Sequence, residues 1–147
     1  MITRRLPLAV AVAAGIAAAG CGTASDHGVG AAQVKRTVQA ALGHLATGDG
    51  SAFCALATPA ERARLARVFA RRNCAAAMHA VGSALSPVHR AALRHVEVNR
   101  VTVTGATATV SAADIATPDD PGKGFLSDDG KPTILVRRPD GRWLING

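Results

Sequence analysis

The chain has 147 residues, 48% of them hydrophobic but only 3% aromatic, and a formal net charge of +7 at pH 7. Such a length suits one domain with a modest core. There is no tyrosine and no interleaving of basic with aromatic residues, which argues against single-strand nucleic-acid binding; no nucleic-acid partner is expected.

Arg4 and Arg5 precede an uncharged run from Leu6 to Ala19, made mostly of Ala, Val, Leu and Ile. The run is long enough for the core of a signal peptide and short of the roughly 20 apolar residues that span a bilayer. It ends in Ala18-Ala19-Gly20-Cys21-Gly22, which resembles the bacterial lipobox, where the chain is cut before the cysteine and its thiol receives a diacylglycerol. The expectation is a signal peptide over residues 1–20, a lipidated Cys21 and a flexible tether over 21–31. A single domain over 32–147 would then be held at the extracytoplasmic face of the cell membrane. Two acyl chains are about the minimum for stable anchoring, so no transmembrane helix is required.

Removing Arg4 and Arg5 leaves a formal charge of about +5, unevenly placed. Arg62, Arg64, Arg67, Arg71, Arg72, Arg90 and Arg94 share their stretch with one acid, Glu61, whereas Asp114, Asp119, Asp120, Asp128 and Asp129 gather in a later loop. The arginine-rich helices could meet an anionic lipid surface; a solvated face without a partner is the plainer reading. With Cys21 taken by lipid, Cys54 and Cys74 remain as an even pair outside the cytoplasm, and a disulfide is expected. Closing a loop of that length is worth about 3 kcal/mol. No CxxC or neighbouring histidine pair completes a metal site with them.

The first predicted helix carries Val34, Val38, Ala41, Leu42 and Leu45 at helical spacing and stops at Gly48-Asp49-Gly50. A short helix over 51–57 carries Phe53, Cys54 and Leu56. Thr58-Pro59-Ala60-Glu61 starts the next, with threonine as cap, proline in the first turn and glutamate reaching back to the cap amide. It is expected to turn Leu65, Val68 and Phe69 inward and its arginines outward. Asn73 caps a fourth helix with Cys74, Met78 and Val81, and Ser86-Pro87 begins a fifth.

The period then changes. Val96 and Val98 alternate in one phase, Val101 and Val103 in the other, a slip near Asn99-Arg100 that reads as a β-bulge in a bent strand. Gly105 turns the chain into a strand over 106–112. Residues 133–138 and 142–146 form two more strands around Pro139-Asp140-Gly141, a hairpin signal. Trp143 and Ile145 share a face. The fold class is α+β: helices packed on one face of a curved, four-stranded antiparallel sheet.

The layout resembles the nuclear-transport-factor-2-like superfamily, and within it small bacterial lipoproteins, probed by five features in order. They are the lipobox, the helix ending in Thr47-Gly48-Asp49-Gly50, the Cys54-Ala55-Leu56-Ala57-Thr58-Pro59 stretch, the second cysteine Cys74, and the closing Gly141-Arg142-Trp143-Leu144-Ile145. The resemblance covers roughly residues 32–147. It implies a cone in which a curved sheet wraps a long helix, often around a pocket. Many members carry an extra strand among the helices, and none is expected here.

Enzymes of that superfamily use acids, a tyrosine or a His–Asp pair inside the cone. Here His95 and Glu97, two apart on one predicted strand, form the only candidate acid–base pair; a solvent-facing pair opposite Val96 and Val98 is the favoured reading. His44 sits on the polar side of the first helix, and His79 and His89 lack partners at ligand spacing. The Asp119–Gly124 loop has neither phosphate-loop spacing nor EF-hand order, and no GxSxG elbow is present. No catalytic residue, metal or cofactor is expected. The leading expectation is a non-catalytic binding or interaction module, its partner an envelope protein or a small apolar ligand. Candidate pocket residues are Val38, Leu42, Leu45, Phe53, Leu65, Phe69 and Trp143, which would otherwise fill the core. The alternatives are a cone enzyme using His95 and Glu97, or a structural envelope spacer.

Overall fold

In the computed structural model the described residues are 28–116 and 131–147. The lipobox with Cys21, and the acidic loop's Asp119, Asp120, Asp128 and Asp129, lie outside them. Helix α1 spans Val29–Thr47. It begins inside the stretch expected as tether, because Ala31 joins the Val34 and Val38 stripe and is only 2% exposed. Helices α2 (Gly50–Ala55), α3 (Pro59–Val68), α4 (Cys74–Ala84) and α5 (Pro87–Arg94) follow.

Each of these four helices starts on a side-chain cap. Asp49, Thr58, Asn73 and Ser86 accept from the backbone N–H groups of Ala52, Glu61, Ala76 and His89. Such a cap typically contributes about 1 kcal/mol by satisfying an amide that has no intrahelical partner. The expected return arm at α3 does not form. The Thr58 N–H donates instead to the Ile145 carbonyl at 2.8 Å, so Glu61 turns to Arg64, whose guanidinium donates to both carboxylate oxygens at 2.6 and 2.7 Å.

The main sheet is four-stranded and antiparallel, its strands lying side by side in chain order. Its strands are β2 (Thr102–Thr104), β3 (Thr107–Val110), β5 (Thr133–Arg137) and β6 (Trp143–Ile145). Register aligns Val103, Ala108, Leu135 and Ile145 in one cross-strand row, and all four are buried. The β2–β3 turn leaves only Gly105 and Ala106 between paired residues. Its first position needs a positive φ, which Gly105 supplies at 60°.

One expectation about the strands is corrected. The phase slip at Asn99-Arg100 is a break between sheets, not a bulge within one strand. Strand β1 (Glu97–Val98) pairs with β4 (Ile115–Ala116) in a separate two-stranded sheet. The break lets Val96, Val98, Val101 and Val103 all point into the core, and α1 pins it: Lys35 Nζ donates to the Asn99 carbonyl at 2.9 Å, and Gln39 Nε2 to that of Val96 at 3.1 Å. Among the described residues the helical region contains no strand, only an isolated bridge to the sheet edge. Ala57 pairs with Ile145 in parallel, because Leu56 and Thr58 exchange backbone hydrogen bonds with Ile145 at the sheet edge.

Helix α1 packs on α2, α4 and α5 and also on β1, β2 and β6. It is therefore buried between helices and sheets, and Val34, Val38, Ala41, Leu42 and Leu45 are each no more than 3% exposed. The α2–α4 crossing is close. Where α4 meets α1, a Cβ added at Gly82 would collide with the Leu45 carbonyl oxygen; where it meets α2, one added at Gly50 would collide with that of Ala75. The disulfide between Cys54 and Cys74 joins the same two helices, with the Cα atoms 6.1 Å apart and both residues buried.

Candidate functional site

The seven residues assigned to an apolar pocket do not converge on one. Val38, Leu42, Leu45, Leu65 and Trp143 lie in the contiguous core, and Phe53 packs half-buried against it. Phe69 is 42% exposed and Val68 61% exposed, correcting the expectation that both turn inward. The reason is local. Glu61 and Leu65, four apart, set the buried face of α3. The helix ends at Val68, and Ala70 takes a φ of 48° that carries the chain away before another turn can reach the core. Trp143 lies beside Gly30 in the first turn of α1; its indole N–H is buried without a hydrogen-bond partner among the described residues.

The surface does carry two adjoining clefts at the α2–α3–α4 junction. One, of about 640 Å³, lies between Gly48–Ser51 and the chain from Arg71 to His79. The other, of about 500 Å³, lies over the disulfide, between Ser51–Ala55, Arg62–Ala66 and Arg72–Ala75. Arg72 lines both, and Arg62 and Arg72 are the charged residues of the second. In the first, Asp49 offsets Arg71 and Arg72, but one of its oxygens accepts the Ala52 N–H at 2.9 Å. His79 is held there by donating from Nδ1 to the Gly48 carbonyl at 2.9 Å, the carbonyl being able only to accept.

Among the arginines of this region, Arg64 is committed to Glu61. No described carboxylate pairs with Arg62, Arg67, Arg71 or Arg72, all of them exposed. Helical spacing puts Arg62, Ala66 and Phe69 on one face of α3. The corner thus joins unpaired cationic groups to a bare aromatic ring. Nothing in the hydrophobic pattern signals this; the signal that was legible is the run of arginines on both sides of Val68-Phe69.

His95 and Glu97 are not brought together. His95 caps the C-terminus of α5 rather than lying on a strand, Glu97 begins β1, and both are exposed while Val96 and Val98 are buried. The two make no hydrogen bond or ion pair with each other. His89 Nδ1 lies 3.0 Å from the Ser86 hydroxyl as part of a helix cap. Among the described residues no three His, Cys, Asp or Glu side chains could hold a metal, and no helix is long and apolar enough to cross a membrane. No family model matches the chain, and neither a curated protein nor a solved structure is similar to it.

Proposed function

We propose that the chain is an extracytoplasmic lipoprotein that acts as a non-catalytic interaction module, tethered to the cell membrane by lipid on Cys21. The observation that carries the reading is the division of the three cysteines. Two are joined to each other in the fold, as an oxidising compartment favours, and the third closes an apolar run in a lipobox-like context. The order of motifs supports a place in the nuclear-transport-factor-2-like superfamily, and the burial of α1 between helices and sheets is compatible with it.

Support for binding rather than catalysis comes from the arrangement of side chains. The acid–base pair that a cone enzyme would use faces solvent unpaired, and the residues that would line an apolar pocket, Phe69 apart, pack in or against the core. The surface features left for recognition are the clefts and the basic corner beside the disulfide.

The test is intact-mass analysis of the full chain expressed in a bacterium that processes lipoproteins. The expected product lacks residues 1–20, carries a diacylglycerol on Cys21 and has lost two hydrogens to the Cys54–Cys74 bond. A product that retains residues 1–20, or whose Cys21 bears no acyl group, would overturn the assignment. The Cys21→Ser variant should leave the detergent phase and remain folded.

A further inference from the structure

The basic corner has a composition that a solvated helix face does not need. Between α3 and α4 the chain exposes Val68 and Phe69 side by side, with Arg67 before them and Arg71 and Arg72 after them. The corner is held in shape from both sides. Ala70 sits in the left-handed region, uncommon for a residue with a side chain, and the Arg71 N–H returns to the Ala66 carbonyl at 2.9 Å. Asn73 caps α4 immediately afterwards, and the disulfide fastens the next residue to α2.

We propose that this corner is a second membrane contact, in which Phe69 and Val68 enter the headgroup–acyl boundary of an anionic bilayer while Arg62, Arg71 and Arg72 hold lipid phosphates. The inference rests on the anchored reading above and gives the anchored domain an orientation. Exposed apolar side chains ringed by arginines are what an interfacial element presents to a bilayer. Charge complementarity fits as well, since guanidinium groups bind phosphate in a fork and none of these three is taken by a described carboxylate.

Geometry allows both contacts at once. The tether enters at the N-terminus of α1, whereas Gly48 and Asp49, at its other end, line the cleft that Arg71 and Arg72 share. Nineteen helical residues put the two ends about 28 Å apart. Lipid at one end and the corner at the other reach one plane when the axis of the buried α1 runs parallel to the membrane. Two such contacts hold more firmly than either alone, because the second binds at the high local concentration that the first creates.

The experiment uses the full, processed chain with Phe69→Trp, placed in vesicles of phosphatidylcholine alone or mixed with phosphatidylglycerol, with acyl-brominated lipid as quencher. Trp143 is buried in the core and serves as the unquenched internal reference; its unchanged emission also reports that the variant is folded. The expected result is quenching at position 69 in the anionic vesicles only, weakening as salt is raised. Arg62→Gln or Arg72→Gln should each lower the docked-to-undocked ratio about fivefold.

A chain that floats with both kinds of vesicle but shows no quenching at position 69 would overturn the proposal. Equal quenching in neutral vesicles would overturn the role given to the arginines. Protection of the corner by soluble polyglutamate, without quenching on vesicles, would replace the lipid by an acidic protein partner. Failure to float with neutral vesicles would count against the lipid anchor instead, and quenching in anionic vesicles would still decide the corner.

Discussion

Val38 and Phe69 both follow a basic stretch and both sit at helical spacing from other apolar residues, yet one is 3% exposed and the other 42%. The difference lies in what surrounds each helix. Helix α1 has helices on one side and strands on the other, so every residue of its stripe meets a partner. Helix α3 packs chiefly on α4 and stops before its last apolar residues can turn inward. Burial therefore depends on neighbours contributed by distant parts of the chain, and apolar residues at a helix end are left over when none arrives. The two regions differ accordingly: one holds the fold, and the other leaves Val68 and Phe69 at the surface.

The comparison breaks most sharply by truncating one side chain from each region. Leu42→Ala, at a site 1% exposed, should destabilise by about 2–5 kcal/mol through lost burial and the cavity left behind. Phe69→Ser should change stability by less than about 0.5 kcal/mol. Urea denaturation of the two variants separates these outcomes, and a large loss from Phe69→Ser would show that the corner is part of the core after all.

Removing the staple tests whether the tight region depends on it. Cys54→Ala with Cys74→Ala should cost about 3 kcal/mol, as loop-closure entropy predicts. Calorimetry of the double variant should give a lowered Tm with the transition still cooperative. Were the Tm unchanged, the close packing of α2 on α4 would suffice alone.

Glycine positions sharpen the contrast further. Gly82→Ala drives a methyl group into the Leu45 carbonyl and the Gly48 backbone, and should destabilise by about 1–3 kcal/mol. Gly43 lies mid-helix with open space where its Cβ would be, so Gly43→Ala should stabilise by up to about 1 kcal/mol through helix propensity. Opposite signs in a chemical melt are the expected pattern.

The smallest effect concerns the β5–β6 turn. Hydrogen bonds from the Arg142 backbone N–H and then its guanidinium hold the Asp140 carboxyl below its ordinary value of 3.8. A folded-state pKa below the unfolded one stabilises the turn above about pH 3.8, and this contribution is lost as pH falls through the lowered value. Carboxyl NMR titration should show Asp140 moving back toward its ordinary value in Arg142→Gln. The group lies at the surface, so the shift should be visible in its titration curve and hardly at all in global melting.

Much of the fold could be read from residue order because its signals are local. The Val34–Leu45 stripe, the caps Thr58, Asn73 and Ser86, the prolines behind two of them, and the Pro139–Gly141 turn each depend on atoms a few residues apart. The Cys54–Cys74 bond was legible by arithmetic, since one cysteine was assigned elsewhere and two remained. The candidate site was not legible in the same way. Whether Phe69 faces core or solvent depends on where α3 ends relative to α4, and no periodicity contains that distance.

The linear chain thus determined the element types, the α+β class and the cysteine pairing, together with the charge asymmetry between helices and loop. Only the tertiary structure decided that the strand after α5 divides between two sheets, that Ala57 joins the sheet edge, and that Glu61 holds Arg64 instead of its own cap. It alone decided which apolar residues remain outside. Short-range hydrogen bonding and periodicity act between neighbours in sequence, whereas burial and the competition for a backbone amide are settled between segments that meet only when the chain has folded.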